Sequence, residues 1–508
     1  MRLKVRPLDL DAAGKTIIIL NELDALELGL HPLDRVCIND ELTAIINTSS
    51  KFVKRREAIV YEEIREILDL KDNQEIDIKP IMTFKSKEHI RNKIDGRELE
   101  EEELKEIVGD VVERNLNDLE LAAFITALYI RGLSKKEIEG LIKAMTETGN
   151  RLDIKRDIIA DKHSIGGVPG DKTTMLLVPV IASSGLTIPK TSSRAITSPA
   201  GTADRVEILT NVELEKEEIE KVVEKTNGCM VWGGALDLAP ADDLFIQIEH
   251  PLHLDPMLMP SILSKKKAVN ATHVVIDIPA GVGAKIQTFS EAKKLADDFI
   301  SIGKDLDMII ECGVTFGEQP IGHTIGPALE AREALNTIMG NFSYDLVDKV
   351  TSLAGILLEI TKKSDNGKDL AFKLLKNKSE DKLREIIEEQ GGDPKITPGD
   401  IEIGGKTLTI HSKRHGKVIR VSNAQLAKLA NTLGCPKDKK AGIIIHKKLG
   451  ETVKENDRLL TLYAEKNYKL EATEKKLEDM EPIVVVDNLE KYMLTKKFPE
   501  EKVLFLRT

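Results

Sequence analysis

The sequence predicts a multidomain α/β protein: a small β-rich amino-terminal domain, a discontinuous helical domain, a large α/β domain and a carboxy-terminal α+β domain. Three observations carry this. The chain has 508 residues, which at about 100–200 residues per domain makes three or four domains. Its apolar pattern changes near Ser86 from clusters broken by turns to a helical period. Beyond Gly149, apolar runs alternate with helical runs, as a layer of strands covered by helices requires.

The elements follow in chain order. Within residues 1–84 the clusters Ile17-Ile18-Ile19-Leu20, Arg35-Val36-Cys37-Ile38 and Leu42-Thr43-Ala44-Ile45-Ile46 read as strands separated by turns at Gly14 and Gly29. One short helix is expected over Asn21–Gly29. In 86–150, Leu121, Phe124, Ile125 and Leu128 share a helical face, and Gly132 ends it. Ser134 with Glu137 then starts the next helix as a capping box. The α/β domain is expected over 151–239 and 269–405, with strands at Ile158–Ala160 and His273–Ile278. Its helices are expected at Thr173–Ser183, Glu213–Thr226 and Ser290–Leu306. Residues 240–268 return to the helical domain through a patch near Ser261–Lys267. Residues 406–508 turn β-rich again, with hairpins expected among Gly442–Ile445, Leu449–Val453 and Asp457–Leu460. Neither a long internal repeat nor a low-complexity linker is expected.

Composition narrows the function. Lys and Arg number 74 against 85 Asp and Glu, a formal charge of −11, which argues against a nucleic-acid polymer as partner. A local pocket can still hold a small anion. No apolar run nears the ~18 residues of a spanning helix, and Met1–Arg6 lacks a signal-peptide core, so a cytoplasmic protein with no membrane partner is expected. Cys37, Cys229, Cys312 and Cys435 have no paired spacing, which speaks for free thiols in a reducing compartment.

Two segments carry chemistry. The first runs from Asp161-Lys162-His163-Ser164 through Gly166, Gly167, Pro169 and Gly170 to Thr173-Thr174, between an expected strand and an expected helix. Glycines let backbone approach an anion, a helix start points N–H groups at it, and Lys162, Ser164 and Thr174 add donors. The spacing fits neither a Walker A loop nor a dinucleotide fingerprint, and an ordinary glycine-rich turn would look the same. The second segment, Thr191 to Thr202, places hydroxyls at 191, 192, 193, 197, 198 and 202 around Arg194, a set able to wrap a phosphate or merely to form a solvated loop.

Asp161-Lys162-His163-Ser164-x-Gly166-Gly167, Leu238-Ala239-Pro240-Ala241-Asp242 and Ser261-Ile262-Leu263-Ser264-Lys265-Lys266 together resemble the thymidine and pyrimidine nucleoside phosphorylases, over roughly residues 86–500. Pro169, the stretch Ser193–Ser198 and the added amino-terminal domain resemble an archaeal branch that cleaves nucleoside 5′-monophosphates instead of nucleosides. The amino-terminal domain itself is similar to the double-psi barrel half found in Cdc48-type ATPases. The resemblance implies phosphate contacts at Lys162, Ser164, Thr174, Ser192 and Thr202. It implies nucleotide contacts at Gly167, Ser193, Arg194, Ala195, Ile196, Thr197, Ser198, Thr202, Ser261 and Lys285, with Asp255 as proton donor; His163, inside the first motif, reads as facing the base or as a purely structural imidazole. It further implies AMP, with CMP and UMP, as substrates, free base and ribose 1,5-bisphosphate as products, and a homodimer or larger homo-oligomer. A phosphorylase of unphosphorylated nucleosides is the alternative.

Chemistry makes these roles sensible. Breaking an N-glycosidic bond leaves positive charge on the ribose and negative charge on the base, so an attacking phosphate and a delivered proton relieve both. A carboxylic acid delivers that proton only if an apolar or anionic setting raises its pKa. Leu252, Leu254, Pro256, Met257 and Leu258 around Asp255 are read as such a setting. Lys162, Arg194 and Lys285 are read as counter-charges for two phosphates. No metal or organic cofactor is expected; phosphate is a co-substrate. His250 and His253 read as loop residues, and Lys265-Lys266 as either a base-edge contact or a solvated helix end. The site is expected in the cleft between the helical and α/β domains.

Overall fold

The amino-terminal barrel is a 40-residue pattern written twice. Strands β1 (Arg2–Pro7) and β2 (Ile17–Leu20), helix α1 (Glu22–Glu27) and strand β3 (Arg35–Ile38) make the first copy. Strands β4 (Leu42–Thr48) and β5 (Glu57–Val60), helix α2 (Glu62–Ile67) and strand β6 (Glu75–Pro80) make the second, so that starts at 2, 17, 22 and 35 recur at 42, 57, 62 and 75. The expectation of no long repeat is therefore overturned. Backbone, more than side chains, repeats: Gly29 and Asp69 both take positive φ, as do Leu33 and Asn73. The closed order β1-β5-β2-β4-β3-β6 interlocks the copies, since β1 runs parallel to β5 and β2 parallel to β4. Alternating residues such as Leu3, Val5, Ile18, Leu20, Ile76 and Ile78 fill the interior.

The computed structural model describes residues 1–81, 85–195 and 198–487, in two compact units: Met1–Asn150 with Ala239–Ser264, and Arg151–Leu238 with Lys265 onward. The expected domain limit at 84, and the end of the carboxy-terminal domain, lie outside the described residues.

After the barrel come α3 (Lys85–Ile94), α4 (Glu101–Val112), α5 (Asp118–Arg131) and α6 (Lys135–Glu147). Gly132, at φ 73°, stops α5. The capping box forms as expected: the Glu137 N–H donates to Ser134 Oγ at 3.2 Å, and the Ser134 N–H to Glu137 Oε2 at 2.9 Å. The chain continues with β7 (Ala160–Ser164), α7 (Thr173–Ser183), β8 (Ile188–Ser192), α8 (Thr202–Val206), α9 (Lys216–Thr226) and β9 (Gly228–Trp232). Helix α10 (Pro240–Leu252) and the start of α11 (Leu258–Ala268) belong to the first unit. There Phe245 and Met257 join Leu121, Phe124 and Met145 in one core, and the rings of Phe124 and Phe245 lie 6.1 Å apart. The helical layer is thus discontinuous in sequence and continuous in packing.

The second unit adds β10 (His273–Ala280), α12 (Phe289–Asp305), β11 (Ile309–Phe316), β12 (Thr324–Ile325), α13 (Pro327–Ile338), α14 (Tyr344–Ile360), α15 (Gly367–Asn377) and α16 (Ser379–Glu389). Strands β7, β10 and β11 are parallel with β10 central, and β8 pairs in parallel with β9. Helix α7 is buried along Met175–Ala182 against Leu353 and Leu357 of α14 and Ile386 of α16. The last elements are β13 (Lys406–His411), β14 (Gly416–Val421), α17 (Asn423–Leu433), β15 (Gly442–Ile445), β16 (Thr452–Val453), β17 (Arg458–Ala464), α18 (Asn467–Leu477) and β18 (Ile483–Val486).

Several boundaries move. The strand expected at Ile158 starts at Ala160, because Ile159 makes only an isolated bridge to Thr187. Helix α9 starts at Lys216, not Glu213, because Glu215 and Glu218 form its cap. The carboxy-terminal segments are not successive hairpins: β15 pairs with β17, while β16 leaves for β14 in another sheet. Among the described residues no helix is long and apolar enough to cross a membrane.

A closed barrel with its own core should fold alone. A fragment of residues 1–81 is expected to unfold in urea in one cooperative transition. Asp24 is sealed from water and accepts from the Arg56 N–H at 2.6 Å and Arg55 Nε at 3.0 Å. Asp24→Ala should therefore lower the fragment's stability by about 2 kcal/mol, the cost of an orphaned buried donor. A broad, non-cooperative melt of the parent fragment would contradict this reading.

Candidate active site

Strand β7 carries the first segment itself. Asp161, Lys162, His163 and Ser164 are strand residues, paired in register with Val274, Val275, Ile276 and Asp277 of β10. The sequence reading placed them after a strand; the ladder extends through them because β10 continues to Ala280. Beyond Ser164 the chain turns at Gly166 and Gly167, with φ of 83° and 91°. A Cβ on Gly167 would stand 2.9 Å from the backbone N of Lys285, so only glycine lets these two loops meet. Thr173 and Thr174, both buried, then open α7. A glycine turn feeding a helix start is a place where N–H groups meet an anion.

Around this turn lies a set of buried charges. Asp161 faces Lys266 Nζ at 2.6 Å and Lys190 Nζ at 3.6 Å. Asp171 Oδ2 lies 3.6 Å from Lys162 Nζ and 4.0 Å from Lys349 Nζ, and Lys349 also pairs with Asp277 at 2.7 Å. Burial pushes the Asp171 carboxyl up, but Lys162 and Lys349 outweigh it and hold it well below the usual carboxylate range. Burial, with Lys266 and Lys162 working against Asp161, brings the Lys190 ammonium down to about 7. Burial and the lysines 266, 190, 162 and 265 hold His163 well below its ordinary value, so its imidazole is neutral at pH 7. Lys266 is neither solvated nor at a helix surface: it is buried as the counter-ion of Asp161. Lys172, in the same segment, is structural, binding Glu333 at 2.7 Å and the Ile321 carbonyl at 2.9 Å.

The second segment is latched by carboxylates. Asp204 Oδ2 accepts from the N–H groups of Ala195 at 2.8 Å and Gly201 at 2.7 Å, and the Ala203 N–H donates to the Ser193 carbonyl at 3.3 Å. Ser192 Oγ donates to the Val231 carbonyl at 3.1 Å, and Ser198 Oγ to that of Ala200 at 3.5 Å. Thr202 is the first residue of α8 and its Oγ1 accepts from Arg205 Nη1 at 3.4 Å. Ile196 and Thr197 lie outside the described residues. Arg194 departs from its expected role as a phosphate counter-charge. Its guanidinium pairs with Glu207 at 2.8 Å, Glu213 at 2.7 Å and Asp204 at 3.4 Å, and stacks 4.9 Å above the Trp232 ring. The Arg194 hydrogen bonds hold the Glu207 carboxyl down at about 2, against the opposing push of burial.

In the first unit, Asp255 sits in the turn between α10 and α11, one residue past Leu254. It is exposed, and the apolar setting expected around it does not form. Leu252 is 49% exposed, while Met257 and Leu254 turn into the helical core. His253 caps α10 in the left-handed conformation at φ 53°, and Ser261 is half-buried on α11. Lys285, in the second unit, is exposed on the loop that meets Gly167.

The sequence reading missed Lys190, Asp171, Lys349, Asp277, Asp204, Glu207 and Trp232. A signal existed for two of them. Lys190 interrupts the buried run Leu186–Thr191, and Lys349 lies on the apolar face of α14 with Leu346, Val350 and Leu353. A lysine on a buried stripe needs a partner.

Residues 87–149 match the helical bundle domain of the glycosyl transferase family, 156–380 its a/b domain, and 417–483 the pyrimidine nucleoside phosphorylase C-terminal domain. Among solved structures, anthranilate phosphoribosyltransferase of Thermus thermophilus shares the fold, at TM-score 0.50 and 19% identity over 59% of this chain and 98% of its own. This combination of modules defines a pentosyltransferase of the nucleoside phosphorylase class. The AMP phosphorylases of Thermofilum pendens and Pyrococcus furiosus are 47% and 46% identical to the chain, covering 98% and 96% of it and 98% of each relative. AMP phosphorylase 1 of Archaeoglobus fulgidus is 44% identical over 93% of the chain and 95% of its own length. The chain belongs to the AMP phosphorylase family.

The buried amine of Lys190 should titrate near neutrality, cationic below pH 7 and neutral above. NMR of isotope-labelled lysines is expected to show one midpoint near 7 that disappears in Lys190→Met. Its folded pKa lies below the unfolded one, so this group's contribution to stability rises with pH from 7 to about 10. Lysine midpoints all clustered at about 10 would contradict this account of the charge set.

Proposed function

We propose that the chain splits AMP with inorganic phosphate into adenine and ribose 1,5-bisphosphate, and accepts CMP and UMP by the same chemistry. The observation that carries this reading is Lys162: a buried lysine on the strand that leads into a glycine turn and the N-terminus of α7. Phosphate in that turn meets a fixed cation, helix N–H groups and the hydroxyls of Ser164 and Thr174, with Ser192 and Thr202 as further contacts. Gly167, Lys285, Ser261 and the segment Ser193–Ser198 receive the nucleotide. Arg194 serves there by anchoring the segment through Glu207 and Glu213, and Lys285 supplies the cation for the 5′-phosphate.

Asp255 is the proton donor in this reading, and neutral His163 faces the base. Binding of the nucleotide phosphate and of the attacking phosphate would favour the protonated carboxyl by like-charge repulsion. Expelling water as the nucleotide binds would sharpen this effect and favour phosphorolysis over hydrolysis. Neither a metal nor an organic cofactor is needed for these steps. The barrel's two parallel pairs, β1–β5 and β2–β4, support reading it as double-psi. A cytoplasmic homodimer or larger homo-oligomer completes the proposal.

Chromatography of free base released from AMP, CMP, UMP, adenosine and thymidine, with and without phosphate, tests the reading. Base should appear from the nucleotides only when phosphate is present; turnover of the nucleosides alone would overturn it. Lys162→Ala should lose about 2–4 kcal/mol of transition-state stabilisation. Asp255→Asn should lower kcat by roughly 10²–10⁴ with little change in nucleotide affinity, and should abolish the alkaline limb of the pH profile. Unchanged turnover in Asp255→Asn would pass the proton to another group.

A further inference from the structure

Lys162 is not the only ammonium on Asp171. One oxygen, Oδ2, is shared between Lys162 at 3.6 Å and Lys349 at 4.0 Å, while Oδ1 accepts from the Thr173 N–H at 3.2 Å, at the start of α7. Lys349 reaches this point from α14, far along the chain, and its close partner is Asp277 Oδ2 at 2.7 Å. Asp277 is fixed in turn: Thr315 Oγ1 of β11 donates to its Oδ1 at 2.6 Å. The Asp277 backbone carbonyl accepts the Ile165 N–H at 3.1 Å, directly before the glycine turn. The result is a row of alternating charge, Lys162, Asp171, Lys349, Asp277, buried except for a partly exposed Asp171.

We propose that Lys349 is a positioning residue for phosphate: by sharing Asp171 with Lys162, it keeps that carboxylate from neutralising the cation that meets the attacking anion. The inference rests on the proposed phosphate site at Lys162. The electrostatics are simple. An approaching phosphate sees Lys162 less the screening of its own counter-ion. A second ammonium on the same Asp171 oxygen competes for that screening, and it restrains the carboxylate from closing the 3.6 Å gap. Without Lys349, Asp277 would lose its ammonium partner at 2.7 Å and Asp171 would be left to Lys162 at 3.6 Å. The anchor of Lys349 on Asp277 also couples phosphate binding to β10, whose backbone carries the turn.

The test compares Lys349→Met, Lys349→Arg and the double variant Lys349→Met/Asp277→Asn in the full chain. The double variant removes one charge of each sign and so avoids an orphaned buried carboxylate. Steady-state kinetics with AMP and inorganic phosphate, and the thermal shift produced by inorganic phosphate alone, are measured for each. Lys349→Met and the double variant should raise the KM for phosphate roughly tenfold, the scale of one charged hydrogen bond, and should lose the phosphate-induced shift. The KM for AMP should stay within about threefold. Lys349→Arg should recover most of the phosphate affinity. A double variant with wild-type thermal stability and wild-type phosphate KM would make Lys349 merely structural and overturn the proposal, as would equal loss for both substrates. If Lys349→Met does not fold, the double and Arg variants decide alone. A wild-type enzyme that releases base without phosphate would instead sink the underlying functional reading. Phosphate-dependent turnover lost in Lys162→Ala but untouched in every Lys349 variant would sink only this inference.

Discussion

An ammonium group sealed from water must find a carboxylate within a few ångströms or give up its proton. The second unit seals Lys162, Lys190, Lys266 and Lys349 together, and Asp161, Asp171 and Asp277 are placed to answer them. Much of the local architecture follows. Strand β7 must present Asp161 toward β8 and α11. The turn after Ser164 must be glycine because Lys285 backbone occupies the space beside it. Helix α14 must lie where Lys349 reaches both Asp171 and β10.

The first unit follows a different logic. Its barrel is assembled from two copies of a strand–strand–helix–strand pattern, each completed by the other, because every parallel pair joins one copy to its counterpart. Neither copy can satisfy its own backbone hydrogen bonds. Asp24, buried in the barrel, holds the turn at Arg55 and Arg56, and Arg35 of β3 is buried 3.6 Å from Glu120. The helical layer beside it is held by Phe124, Phe245 and their neighbours, and by the buried pair Lys93–Glu137 at 2.6 Å.

What could be read from the sequence was local in its physics. The box at Ser134 and Glu137, the stop at Gly132 and helix α7 all depend on residues within a few positions of each other. The charge set depends on pairs far apart in sequence, such as Lys349 with Asp171, which no spacing rule exposes. Arg194 illustrates the opposite error. Among so many hydroxyls it looked like a phosphate grip, but three carboxylates beyond the segment take up its charge. Of the apolar residues beside Asp255 in sequence, Leu254 and Met257 fold into the helical core and Leu252 is exposed. The barrel's repeat escaped notice because few residues coincide between its copies. Ile19 and Ile59, Glu22 and Glu62, Leu28 and Leu68, Leu30 and Leu70, and Ile38 and Ile78 agree, while Gly29 with Asp69 and Leu33 with Asn73 match in positive φ alone.

The central claim is that phosphate attacks the ribose carbon directly, at the turn that follows Lys162. Phosphorus NMR of the products of AMP and heavy-oxygen-labelled inorganic phosphate tests it most directly. The account predicts a sugar with two phosphate resonances, only one of them shifted by the label, and that one bonded to C1 through a labelled oxygen. Ribose 5-phosphate beside unreacted labelled phosphate would mean that water is the nucleophile, and would contradict it.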